Sequence, residues 1–245
     1  PPPDYNPAKF KHASYGGQPS MPNKKSEMNV NTVGNELQEV NWTWPEGTRA
    51  ERKRLYEVHK NNALAYLYYL QHEKKLTRLG LPKDEFTDNG HLPWQLYVRE
   101  ARRMVGRTVF TEQDVDPAPG DARAVFHADS IAMGDYGPNC HGTAHEGSRF
   151  GGKHAGEFYK PAPPYQIPYG VMLPRDVSNL LVPVAVSSSH VGFCALRLEP
   201  IWMSLGQAAG HAAAMAVKGR IPVQHVSIPA LQRRLHQEYS ATIYV

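Results

Sequence analysis

Apolar residues along this chain fall into four stretches of helical period and two of strand character, joined by polar and Gly- or Pro-rich connections. The first helical stretch opens at Thr48-Arg49-Ala50-Glu51, a capping box in which hydroxyl and carboxylate satisfy each other's orphan backbone donors. Leu55, Val58, Asn62, Ala65 and Tyr69 then share one face, Tyr66, Leu67 and Leu70 widen it, and Gly80 and Pro82 close the region. A tyrosine-rich face of this kind is a packing surface first and a cleft lining second. The second stretch, residues 93–106, predicts a helix with Tyr97, Val98, Ala101, Met104 and Val105 inward. Arg99, Arg102 and Arg103 then form a basic stripe at i, i+3, i+4, with Glu100 as an intrahelical partner.

The strand candidates are residues 124–133, which lead into a Gly-rich loop over 134–156, and the continuous apolar run 179–186. A polar turn, Ser187-Ser188-Ser189-His190, follows the second, then a short apolar stretch and Arg197-Leu198-Glu199-Pro200. Pro200 suits the first turn of a helix, where its missing N–H costs nothing. In that helix Gly206, Gly210 and Ala213 recur at helical spacing, predicting a face bare enough to lie against a sheet or a flat ligand. Lys218-Gly219 marks its end, and Ser227 opens a last helix to about Tyr239 that packs through Leu231 and Leu235. Residues 1–47 carry no sustained period and are expected to be irregular.

Composition changes this picture little. The chain has 245 residues, 41% hydrophobic and 20% charged, the profile of a soluble globular protein of one or two domains. A net charge of +4 without a basic tail or aromatic–basic interleaving points away from nucleic acid. No apolar run is long enough to span a bilayer, and no signal-peptide pattern opens the chain. Pro1 stands where a Met would, so the natural N-terminus and any export signal are expected upstream, and localisation stays open. Two cysteines make no disulfide framework.

Chemistry concentrates at two places. Uncapped N–H groups and a positive dipole end at residues 200–204 suit an electron-rich ligand edge; the plain alternative is a buried strand–loop–helix unit. In the Gly-rich loop, Cys140, His141 and His145 are conceivable metal ligands, but adjacent ligands are awkward and no C-x-x-C pair exists, so no metal is expected. The string GSRFGGK at 147–153 fits the G-x4-G-K part of a phosphate loop, yet His154 stands in place of Ser or Thr.

The motifs YQIPY at 165–169, NLLVPVAVSSSHV at 179–191 and LRLEPIWMSLGQAAGHAAA at 196–214 resemble the C-terminal end of FAD-dependent oxidoreductases, the bacterial xanthan-lyase-like group. Residues 80–112 and DSIAMGDYGPNCH at 129–141 match the same group in order, so the likeness runs from about Trp42 onward. It implies an α/β fold: the C-terminal part of an FAD/NAD(P)-binding, Rossmann-like fold of glutathione-reductase type with a helical insert. The implied division is an irregular segment 1–47, a helical substrate or cap region 48–122, and the C-terminal part of the FAD-binding domain over 123–245. The G-x-G-x-x-G turn that holds the pyrophosphate in such folds is absent, which makes the missing N-terminal part of the same enzyme the expected partner.

By the same resemblance FAD is the cofactor, and Ser187, Ser189, Arg197, Glu199, Pro200, Met203 and Gly206 bind it. His190 and His141 are the implied catalytic residues, moving protons at the substrate, work for which a histidine near neutrality, as expected of His141, is suited. Arg99, Arg102 and Tyr169 are the implied contacts to a small-molecule or carbohydrate substrate, and Arg197 meets a flavin carbonyl or pairs with Glu199. The chain departs from many flavoproteins of the fold in having Pro183-Val184-Ala185-Val186 where a Gly-Asp pair would bond the ribityl chain. Two other readings stay open: a carbohydrate-binding module using Trp42, Trp44, Trp94, Tyr165 and Tyr169, and a polysaccharide lyase component. A chain lacking its nucleotide half is also expected to expose apolar surface.

Overall fold

Thr48 opens the first long helix as its sequence predicts. In α1 (Arg49–His72) the Thr48 hydroxyl accepts from the Glu51 amide at 3.3 Å, and the Glu51 carboxylate takes the Thr48 amide at 2.6 Å. The helix buries Leu55, Asn62, Ala65, Tyr66, Tyr69 and Leu70. Phe10 packs against Tyr66 and Tyr69, so these tyrosines build a core. Asn62, polar on an apolar face, is satisfied there by the Lys9 ammonium at 2.6 Å.

This computed structural model describes residues 1–11, 20–26, 37–150 and 154–244. The chain divides into two compact units, Pro1–Arg99 with His141–Glu157, and Glu100–Cys140 with Phe158–Val245. The division by role into 1–47, 48–122 and 123–245 is a separate expectation, which these bodies neither carry nor replace. Besides α1, unit 1 holds an antiparallel pair, β1 (Ser20–Met21) with β2 (Lys25–Ser26), and a loop closed by the Ala144–Ala155 bridge. Residues 151–153 of the GSRFGGK string lie outside the described residues.

Unit 2 contains β3 (Ser130–Gly134), β4 (Asn139–Cys140), β5 (Phe158–Tyr159), β6 (Tyr165–Pro168), α2 (His190–Leu196), α3 (Glu199–Gly219) and α4 (Ile228–Arg233). β3 pairs antiparallel with β6 and β4 with β5. All four residues of β6 are buried. α3 lies on β3 and presents Ile201, Leu205, Ala208, Ala212 and Ala216, a seam at i, i+4, i+7, i+11, i+15. Gln232 of α4 donates to the carbonyls of Ala128 and Ser130, tying that helix to the start of β3.

Four expectations are corrected here. Residues 93–106 form no helix; Trp94, Tyr97, Val98 and Val105 are exposed. Their backbone is spent on distant partners: Met104 N on Ala185 O, Val105 O on Arg175 N, and, just beyond, Arg107 N on Leu173 O. The basic stripe therefore does not exist as a helical face. The strand expected at 124–133 is confined to Ser130–Gly134. The run 179–186 forms no strand; Leu180 and Val184 are exposed, Pro183 has no donor, and its bonds are isolated, as from Val182 N to Met172 O. Among the described residues the sheets are two-stranded and antiparallel, with one isolated parallel bridge between Phe110 and Ser188. Finally, the bare face of α3 does not lie against a sheet of the described residues, with open space beside Gly206 and Gly210. The helix packs through its alanine seam instead, because Ile201 and Leu205 carry the larger apolar area.

Candidate functional site

Ser189 caps α2 by accepting the Gly192 amide on its hydroxyl at 3.0 Å, which makes His190 the first helical residue. Cys194 follows at i+4 on the same face, one turn on. The β4–β5 pairing, Cys140 opposite Phe158, holds the second thiol in place. Cys140, His190 and Cys194 thereby bring their sulfur and ring nitrogen atoms within 4.8 Å of one another. Both thiols are free and buried, while the His190 side chain keeps 39% exposure.

Glu100 closes the group. One carboxylate oxygen lies 2.8 Å from His190 Nδ1, and the other accepts from the Cys194 thiol at 3.2 Å. Arg103 donates to the same carboxylate at 3.1 Å and to the Ser188 carbonyl at 3.1 Å, with its guanidinium over the Phe193 ring. The electrostatics follow from these contacts. A hydrogen bond from Cys194, aided by His190, pulls Cys140 down to about 6 against the cost of burial. Cys140 and Glu100 together push His190 up to about 10. Cys194 is driven upward by its bond to Cys140 and by burial, so it stays a thiol. Burial raises the Glu100 carboxyl, but His190, Cys194 and Arg103 outweigh it and hold the group below the usual carboxylate range. These shifts favour the thiolate form of Cys140 beside a protonated His190, anchored on the Glu100 carboxylate.

Arg197 and the start of α3 form the second part. Arg197 is only 5% exposed, and its Nη2 donates to the Asn139 carbonyl at 2.8 Å, the residue before Cys140. The expected pairing with Glu199 gives way to this bond, and Glu199 is exposed. Arg197 Nε and the indole Nε1 of Trp202 are buried donors that find no partner among the described residues. Leu198 caps α3 without a side-chain bond, so the first-turn N–H groups are also uncapped.

The remaining expected residues scatter. Ser187 is buried, bonding Val171 and Phe110 through its backbone, and Ser189 is spent as the α2 cap. Pro200, Met203 and Gly206 are exposed on α3. Tyr169 is buried with its hydroxyl donated to Val223 O at 3.0 Å, a packing position whose pKa burial lifts to about 12. Arg102 is exposed in unit 2; Arg99 stands over the Tyr97 ring in unit 1, and His141 falls in unit 1. Glu100 and Cys194 were missed from sequence. The available signal was the His190-x3-Cys194 spacing, hidden because 191–196 reads as a plain apolar stretch.

A sequence model of the family described as FAD dependent oxidoreductase matches residues 1–235, so the chain belongs to that family. FAD is accordingly its cofactor, and its chemistry is flavin-linked oxidoreduction. No curated protein and no solved structure matches the chain.

Proposed function

We propose that within this family of FAD-dependent oxidoreductases the chain is the flavin-ring side of an enzyme of the xanthan-lyase-like group, with the start of α3 against the ring's pyrimidine edge. The observation that carries this reading is the pair of buried donors, Arg197 Nε and Trp202 Nε1, without a partner among the described residues, at a helix start that has no side-chain cap. A buried donor left unpaired costs about 1–3 kcal/mol, so such atoms fit a ligand rich in acceptors. The pyrimidine edge of FAD is one, and these residues suit the group. Bound FAD supplies the two-electron acceptance; Arg197 and Trp202 orient the acceptor edge, and the positive end of α3 favours negative charge there.

The pyrophosphate half-site, on this reading, belongs to other residues of the same enzyme. The apolar run with exposed Leu180 and Val184 supports it, as a surface that further chain would cover. A carbohydrate-related or other small-molecule substrate remains the proposed class. Trp42 and Trp94 are exposed in unit 1 and present faces suited to a sugar ring, whereas Tyr165 and Tyr169 are core residues.

The test is FAD affinity, measured by flavin fluorescence in the full-length enzyme. Trp202→Phe deletes only the indole donor and is expected to weaken FAD binding about 5–10-fold, one hydrogen bond's worth. Arg197→Lys, which loses a charged donor, is expected to weaken it about 10–100-fold. Folded variants that bind FAD as the parent does would overturn the reading.

A further inference from the structure

We infer that Cys140, Cys194 and His190 form a binding site for a thiophilic divalent cation, zinc in the first instance, with Glu100 as the carboxylate that orients the imidazole. The ligand atoms already converge to within 4.8 Å of one another. Zinc–sulfur bonds of about 2.3 Å and zinc–nitrogen bonds of about 2.0–2.1 Å set ligand atoms roughly 3.5–4 Å apart in a tetrahedron. Both cysteines are buried and outside any disulfide, and they come from two separate elements, β4 and α2. A cation there would clasp the strand that receives Arg197 to the helix before it.

The outer contacts match as well. Ligating histidines characteristically give their second ring nitrogen to a carboxylate, and Glu100 lies 2.8 Å from His190 Nδ1. Two thiolates and the Glu100 carboxylate carry three negative charges; a divalent cation and Arg103, 3.1 Å from Glu100, balance them. Thiolate and imidazole together select zinc over magnesium or calcium. Binding releases the Cys194 thiol proton and a proton from the imidazole, each metal–ligand bond replacing a bond to hydrogen. Three protein ligands leave a fourth position, and the partial exposure of His190 gives water or a small ligand a route to it. From sequence no metal is expected, Cys140, His141 and His145 being the conceivable ligands; the fold instead gathers His190 and Cys194 beside Cys140.

The experiment uses the full-length enzyme, purified under reducing conditions, with zinc content read by mass spectrometry and cobalt(II) as spectroscopic probe. The expected result is about one zinc per chain. Cobalt substitution should give intense sulfur-to-metal charge-transfer absorption with visible bands of tetrahedral strength. Cys140→Ser and Cys194→Ser should abolish the charge-transfer spectrum or halve it. Glu100→Gln, which removes no ligand, should weaken zinc about 10–100-fold. His145→Ala should keep the metal. Reduced, folded enzyme that takes up neither zinc nor cobalt would overturn the proposal, as would a cobalt spectrum untouched by both serine variants. A Cys140–Cys194 disulfide that persists as the resting state would also overturn it.

Discussion

Gly192→Ala is expected to destabilise unit 2 by about 1–3 kcal/mol, the usual cost of forcing a methyl into a closed contact. A Cβ at Gly192 would sit 2.5 Å from the Phe110 carbonyl oxygen, 2.9 Å from its carbon and 3.1 Å from Thr111 Cα. All three are backbone atoms, so no side chain can swing aside. The same backbone is pinned on both sides, since Phe110 N donates to Ser187 O and Phe110 O accepts from Ser189 N. Relief must come from α2 moving outward as a body. That motion carries His190 and Cys194 away from Cys140 and Glu100, so a packing change far smaller than a lost ligand disassembles the cluster. Urea unfolding of the variant reads the stability loss, and the rate of Cys194 alkylation reads the displacement. A variant as stable as the parent, with its thiol equally protected, would mean that α2 does not seat against Phe110.

Leu205→Ala and Gly206→Ala, adjacent on α3, are expected to act with opposite sign. Leu205 is fully buried in the seam on β3, and its truncation leaves a cavity costing roughly 2–5 kcal/mol. That is a large share of the 5–15 kcal/mol that holds an ordinary domain together. Gly206 has no neighbour within 4 Å of an added Cβ, so alanine there meets open space. Removing the backbone entropy of a helical glycine should stabilise the chain by about 0.5–1 kcal/mol. Thermal or urea melts of the two variants side by side give the comparison. Equal losses at both positions would show that the small-residue face is buried after all.

How far the sequence carries depends on where each element's bonds go. α1 was legible because its signals are local: a capping box within four residues and an apolar face of helical period. α3 was legible at its start from Pro200, but its inward face was not. Alanines gave little contrast, and the glycines drew attention to the side that the structure leaves open. Residues 93–106 carry a helical period, yet the backbone from Met104 onward is claimed by partners near 170–188, and tertiary bonds override propensity. The run 179–186 has strand composition, but strands exist only with a partner to pair with. α2 is seven residues long, too short to show a period, and its cap lies inside what reads as a polar turn. The cluster was the least legible part. Glu100 and His190 stand 90 positions apart, and only the fold places a carboxylate on that imidazole.

The account rests on the start of α3 holding the flavin, and the most direct measurement is a structure of the full-length enzyme loaded with FAD. The predicted result places the pyrimidine edge of the isoalloxazine within hydrogen-bonding distance of Arg197 or Trp202, at the first turn of α3. A ring bound away from both residues, with those donors still unpartnered, would contradict it.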